Sequence, residues 1–116
     1  MDKIIKIDNK EYKMKSSAYT QFAYKDKTGR SFLSDIQELI KITDSSKEEI
    51  EFGDLDKISE LILPIAYVMI IEADPSQVSD YVSFLKGIEN LYDDLEWVTK
   101  VIELGCTPIS RQLQNN

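Results

Sequence analysis

Carboxylates are the side chains with which this chain could do chemistry, because its 116 residues include one cysteine and no histidine. That composition excludes disulfide frameworks, Cys/His zinc sites, Cys-His dyads and Ser-His-Asp triads. Two acidic clusters have the oxygen ligands of a hard cation: Asp54, Asp56 and Glu60, and Asp93, Asp94 and Glu96. Neither has EF-hand spacing, and both lie near predicted helix N-termini, where acids favour the helix dipole. We interpret both clusters as capping and solvated side chains.

The glycines and the single cysteine add no reactive motif. Isolated glycines cannot form a phosphate-binding loop, and we interpret each of the four as a helix terminator: Gly29, Gly53, Gly87 and Gly105. Cys106 follows a predicted helix end, where the negative end of the dipole opposes thiolate formation. We therefore expect a protein that is not an enzyme and that has no catalytic residue, metal or cofactor.

The charge and the hydropathy pattern bear on partners and location. The net charge of −7 repels phosphate backbones and anionic lipid surfaces, so we expect neither nucleic acid nor membrane as a partner. Residues 1–30 hold eight Lys/Arg against four acids. This excess of positive charge could steer the chain toward a polar partner or a second copy of itself. The alternative is that it belongs to a lysine-rich, solvated edge strand. The longest apolar run, residues 61–71, is far shorter than the ~20 residues of a membrane span, and the N-terminus lacks a signal peptide. We expect a cytoplasmic protein.

The elements that must position any site follow from periodicity and capping. Two short stretches around Asp8-Asn9-Lys10 predict a β-hairpin whose inner face carries Ile5, Ile7, Tyr12 and Met14. Ser16 or Ser17 caps a first helix that ends at Gly29, with its apolar face formed by Ala18, Tyr19, Phe22 and Ala23. Ser31 or Ser34 begins a second helix, and a loop is predicted over residues 43–53.

Three further helices are predicted. Asp54 caps one that Pro64 kinks or restarts, and Asp74-Pro75 begins another whose face carries Val78, Tyr81, Val82 and Leu85. The last runs over residues 91–104 and ends at Gly105. The predicted fold class is α+β, mostly α, with an N-terminal hairpin packed on about five helices. Residues 1–105 form the single domain, and residues 106–116 form a flexible C-terminal tail.

The last helix has two apolar stripes, and the second is the candidate partner-binding surface. Leu91, Leu95, Val98 and Ile102 form the core stripe. Trp97, Val101 and Leu104 form a stripe about 100° away, and aromatic anchors often lead binding hot spots. Behind it we place Tyr67 and Ile70, one helical turn apart. The alternative is that this stripe covers another helix of the same domain.

Two segments resemble the opening of tail assembly chaperones from siphophages and prophages of Gram-positive bacteria. Residues 7–15 (IDNKEYKMK) are similar to a hairpin of the form I-N-G-K-x-Y-x-L-K, with Asn9 where glycine is usual. Residues 24–36 (YKDKTGRSFLSDI) are similar to a helix end followed by a K-x-T-G-x-S-like turn. An apolar helix, then Asp74-Pro75 and an S-D-Y-V pattern at residues 79–82, extends the resemblance over residues 3–104.

The resemblance implies a small non-catalytic protein that binds the hydrophobic tape measure protein during tail morphogenesis, until tail tube subunits polymerise around it. The tail tube protein is a second candidate partner, and a homo-oligomer is a further option. One alternative is a structural subunit of the tail or neck of a phage or phage-like particle. Another is an acidic DNA-mimic inhibitor, against which the basic first 30 residues argue.

Overall fold

The computed structural model describes residues 1–43 and 51–114, with side chains described to residue 107. Within these residues an antiparallel hairpin precedes five α-helices, so the predicted α+β, mostly α fold is confirmed. The elements in chain order are β1 (Asp2–Ile7), β2 (Lys10–Lys15), α1 (Ala18–Thr28), α2 (Phe32–Ile42), α3 (Phe52–Ala73), a 3₁₀ turn (Pro75–Gln77), α4 (Tyr81–Lys86) and α5 (Glu96–Gln114).

The hairpin forms as its sequence predicts. Asp8 and Asn9 both have positive φ, 48° and 68°, which is the backbone of a two-residue turn that matches the twist of paired strands. The resulting register pairs Ile5 with Tyr12. The four inner-face residues are all buried: Ile5, Ile7, Tyr12 and Met14. A hairpin alone is marginally stable, and this one packs on α3 and α5.

Local caps confirm the boundaries of the first two helices. The Ser17 side chain accepts a hydrogen bond from the backbone N–H of Tyr19 at the start of α1. Gly29 ends α1 with a φ of 72°, a conformation that favours glycine, and its N–H donates to the carbonyl of Lys25. Ser31, rather than Ser34, caps α2.

The face that α1 buries differs from the predicted one, of which only Ala23 packs against the core. Tyr19 and Phe22 are each 64% exposed, whereas Thr20 and Tyr24 are buried. The reason is polar pairing across the fold, because the Thr20 hydroxyl donates to Glu72 of α3 at 2.7 Å and Tyr24 has a similar partner on α2. These hydrogen bonds satisfy polar groups that burial would otherwise penalise.

The central helix α3 begins earlier than expected and continues through Pro64. It starts at Phe52, and Asp54 accepts a hydrogen bond from the N–H of Glu51, the residue before the helix. Most of the loop predicted over residues 43–53 lies outside the described residues, although Phe52 and Gly53 belong to α3. Helix α3 contacts β2 and the other four helices, as its apolar circumference predicts.

The segment after α3 contains a 3₁₀ turn and the short helix α4 instead of one helix beginning at Pro75. Gln77 lies at this break, where its side-chain amide donates to the carbonyls of Lys13 and Ile70. Asp80 then caps α4 by accepting from the N–H of Ser83 at 2.7 Å. Val82, predicted to face the core, is 57% exposed, and Phe84 is buried instead.

Helix α5 runs through Gly105, so the helix end predicted at this glycine is wrong. The backbone is helical to Gln114, where a flexible tail was expected from residue 106. Gly105 is not a terminator but a close-packing residue, because a Cβ there would lie 3.1 Å from Ile36 Cδ1 and 3.2 Å from Phe32 Cζ. The absence of a side chain at Gly105 lets α5 approach α2.

Candidate partner-binding surface

Four of the five predicted partner-binding residues lie in the core of the chain itself. Trp97 is 4% exposed and Leu104 3%, while Val101 and Ile70 are fully buried. Helix α5 turns this stripe toward β1, α2 and α3, which it contacts. The structure therefore agrees with the alternative interpretation, in which this stripe covers other parts of the same domain. In this conformation these four side chains do not reach a partner.

Tyr67 alone among the five reaches the surface, where it lines a groove of about 320 Å³. The groove, called the Tyr67 groove below, lies between the end of α1, the middle of α3 and the start of α4. Its walls are Lys27, Thr28, Pro64, Tyr67, Val68 and Tyr81.

An aromatic cluster and one cation give the Tyr67 groove its chemistry. The rings of Tyr67 and Tyr81 meet edge to face with centroids 5.2 Å apart, and Phe84 packs behind them. Lys27 Nζ lies 5.8 Å from the centroid of Tyr67, within cation–π range. Burial raises the pKa of Tyr81, so its phenol stays protonated at neutral pH. The groove can therefore take an apolar side chain with a polar or negative group beside it.

A second apolar feature is the pair formed by Tyr19 and Phe22, called the α1 aromatic pair below. Residues three apart in a helix are neighbours on its surface, so these two exposed rings form one patch. Sequence reasoning assigned them to the core because this face of α1 is the more apolar one. The signal that could have corrected it is the Ser17-x-x-Thr20 spacing, whose two hydroxyls both donate to Glu72.

The acidic clusters and Cys106 have structural surroundings. Asp94 accepts a hydrogen bond from the backbone N–H of Glu96 at the start of α5, as the capping interpretation predicts. Asp54 lies inside the first turn of α3 and accepts from the backbone N–H of Glu51, so Glu51 and not Asp54 is the residue that precedes this helix. Burial raises the pKa of the half-buried Cys106, which keeps the thiol protonated. Among the described residues, no group of three or more acidic or cysteine side chains could hold a metal ion.

Comparison of the chain with protein-family models, with curated proteins and with solved structures finds no match in any of the three. Within the described residues, none of the helices combines the length and the apolar character that crossing a membrane requires.

Proposed function

We propose that this chain is a tail assembly chaperone that binds the tape measure protein during tail morphogenesis and catalyses no reaction. The proposal starts from the resemblance of residues 7–15 and 24–36 to that family. In the structure these segments form the hairpin turn and the left-handed end of α1 at Gly29. Between them lies the first half of α1, which carries the α1 aromatic pair.

The observation that carries the proposal is the exposure of Tyr19 and Phe22, each at 64%. Aromatic side chains that stand in water gain free energy when a partner covers them, and they dominate many interfaces. An amphipathic helix of a hydrophobic partner can bury both rings at once. The net charge of −7 then keeps the complex soluble.

The test is co-expression of the chain with a tape measure fragment, followed by affinity capture. The double variant Tyr19→Ser, Phe22→Ser should bind roughly tenfold more weakly or worse, because it removes two aromatic anchors. The matched control is Val82→Ser, which removes an exposed apolar side chain from α4 and should leave capture unchanged. Full capture by a folded double variant would remove the α1 aromatic pair from the interface.

Analysis of purified particles separates this function from that of a structural tail subunit. A chaperone leaves before the tail is complete, so the chain should be missing from mature tails. Stoichiometric amounts of the chain in those particles would favour the structural subunit.

A further inference from the structure

Among the residues that the structure describes, the outer edge of β1 has backbone groups without a hydrogen-bond partner. Met1 and Ser16 exchange two backbone hydrogen bonds, with Met1 N to Ser16 O at 2.6 Å and Ser16 N to Met1 O at 2.9 Å. Because such pairs alternate along an antiparallel ladder, the odd-numbered residues of β1 bond to β2. The even-numbered residues Asp2, Ile4 and Lys6 therefore turn their N–H and C=O groups outward. Within residues 1–43 and 51–114, no hydrogen bond reaches these groups.

The opposite edge of the hairpin is blocked at its centre. Lys13 is the middle outward-facing residue of β2, and the Gln77 side chain bonds both of its backbone groups. Lys13 N donates to Gln77 Oε1 at 2.7 Å, and Gln77 Nε2 donates to Lys13 O at 2.9 Å. An incoming strand would have to displace this amide from β2. The edge of β1 is thus the one that an added strand can use.

The side chains of β1 are complementary to those of a second β1 in antiparallel orientation. If Ile4 pairs with Ile4 of the second copy, Asp2 stands opposite Lys6 of that copy, and Lys6 opposite its Asp2. This register joins the outward-facing backbone groups to one another, since it makes the even-numbered residues the hydrogen-bonded pairs. Ile4, which is 59% exposed, would pack against its counterpart at the symmetry axis.

The neighbouring strands extend this complementarity. Within the hairpin Asp2 pairs with Lys15, and Lys6 pairs with Glu11, with all four side chains exposed on the outer face. Across two hairpins in this register, a line of side chains perpendicular to the strands runs from Lys15 and Asp2 of one copy to Lys6 and Glu11 of the other. The charges along this line alternate in sign. A lysine on an edge strand normally repels an unrelated strand. When the added strand is a second β1 in this register, the same lysine meets an aspartate.

We propose that two copies of this chain pair through β1, antiparallel and centred on Ile4, to form one continuous four-stranded sheet. The interface is isologous, because the same edge serves both copies. It does not depend on the proposed chaperone function.

This register can be tested by exchanging charges on β1 in the full chain. Sedimentation velocity over a concentration series then measures the dimer dissociation constant. Lys6→Glu should raise the dimer dissociation constant about tenfold, because two attractive cross-strand pairs become repulsive. Adding Asp2→Lys should restore dimerisation, since Lys at position 2 then faces Glu at position 6 of the other copy. The control Lys13→Glu makes the same charge change one strand away and should leave the dimer intact. Thermal unfolding checks that each variant is folded.

Disulfide trapping gives a second readout. In a Cys106→Ser background, Ile4→Cys places two thiols on a hydrogen-bonded antiparallel pair, whose Cα atoms lie about 5.5 Å apart, within disulfide range. Mild oxidation should therefore yield a covalent dimer of Ile4→Cys and a monomer of Lys13→Cys. A wild-type chain that stays monomeric at all concentrations overturns the proposal, as do equal trapping of both cysteine variants and a failure of the charge exchange to restore the dimer.

Discussion

The phenol of Tyr24 donates a buried hydrogen bond of 2.5 Å to Oδ2 of Asp35, which joins α1 to α2. The guanidinium of Arg30 binds the same carboxylate through two bonds, Nε to Oδ2 at 2.8 Å and Nη2 to Oδ1 at 3.1 Å. Asp35 is therefore the centre of a three-residue network around the Gly29 turn. Burial, followed by the hydrogen bond to Asp35, raises the pKa of Tyr24 and keeps its phenol a donor.

Removal of Asp35 should cost more stability than removal of either partner. Asp35→Ala leaves the buried hydroxyl of Tyr24 without an acceptor, which costs about 1–3 kcal/mol. Tyr24→Phe removes the donor and leaves the carboxylate bound to Arg30, at a cost of about 1 kcal/mol. Arg30→Ala should cost under about 1 kcal/mol, because its side chain is half exposed. Urea unfolding measures all three, and an Arg30→Ala loss as large as that of Asp35→Ala would contradict this network.

Acid should weaken the contribution of Asp35. Burial alone raises the pKa of this carboxyl, but hydrogen bonds from Arg30 and Tyr24 outweigh it and hold the pKa below its ordinary value. The unfolded chain thus takes up this proton first, so the stabilisation is present above about pH 4 and is lost as pH falls through the folded-state pKa. The gap in unfolding free energy between wild type and Asp35→Asn should shrink from pH 5 to pH 3. A constant gap over this range would contradict the lowered pKa.

The sequence predicts Trp97 as a surface anchor and Phe22 as a core residue, and their effects on stability should show the reverse. Trp97→Ala should destabilise the fold by about 3–5 kcal/mol, because it empties a buried site against β1, α2 and α3. Phe22→Ala should change stability by under about 1 kcal/mol, since most of that ring is in water. Thermal and urea unfolding measure both. A small loss of stability for Trp97→Ala would contradict the burial of this side chain and favour its role as a surface anchor.

Two glycines inside helices should respond to alanine in opposite directions. Gly53→Ala meets no atom within 4 Å and should stabilise the chain by about 0.5 kcal/mol through helix propensity. Gly105→Ala presses on Ile36 and Phe32, so overpacking of about 1–3 kcal/mol outweighs the same gain. Unfolding midpoints should therefore rise for the first variant and fall for the second. Stabilisation by Gly105→Ala would mean that the Ile36 and Phe32 side chains of α2 can move away from the added methyl group without strain.

The features that the sequence predicted correctly are local ones. The Asp8-Asn9 turn, the Gly29 helix end and the Ser17 and Ser31 caps each depend on a side chain and on backbone groups within a few residues of it. The hairpin faces follow from strict alternation around that turn. Such signals need no knowledge of the rest of the fold.

The sequence by itself thus determined the hairpin, the helical class and the absence of histidine-based chemistry, whereas the tertiary structure decided which side chains reach the surface. Thr20 is buried because Glu72, 52 residues away, accepts its hydrogen bond, and Tyr19 is consequently turned outward. Trp97 is buried because α5 packs against β1, at the other end of the chain. Periodicity finds apolar faces, but burial depends on partners that only the folded chain brings together.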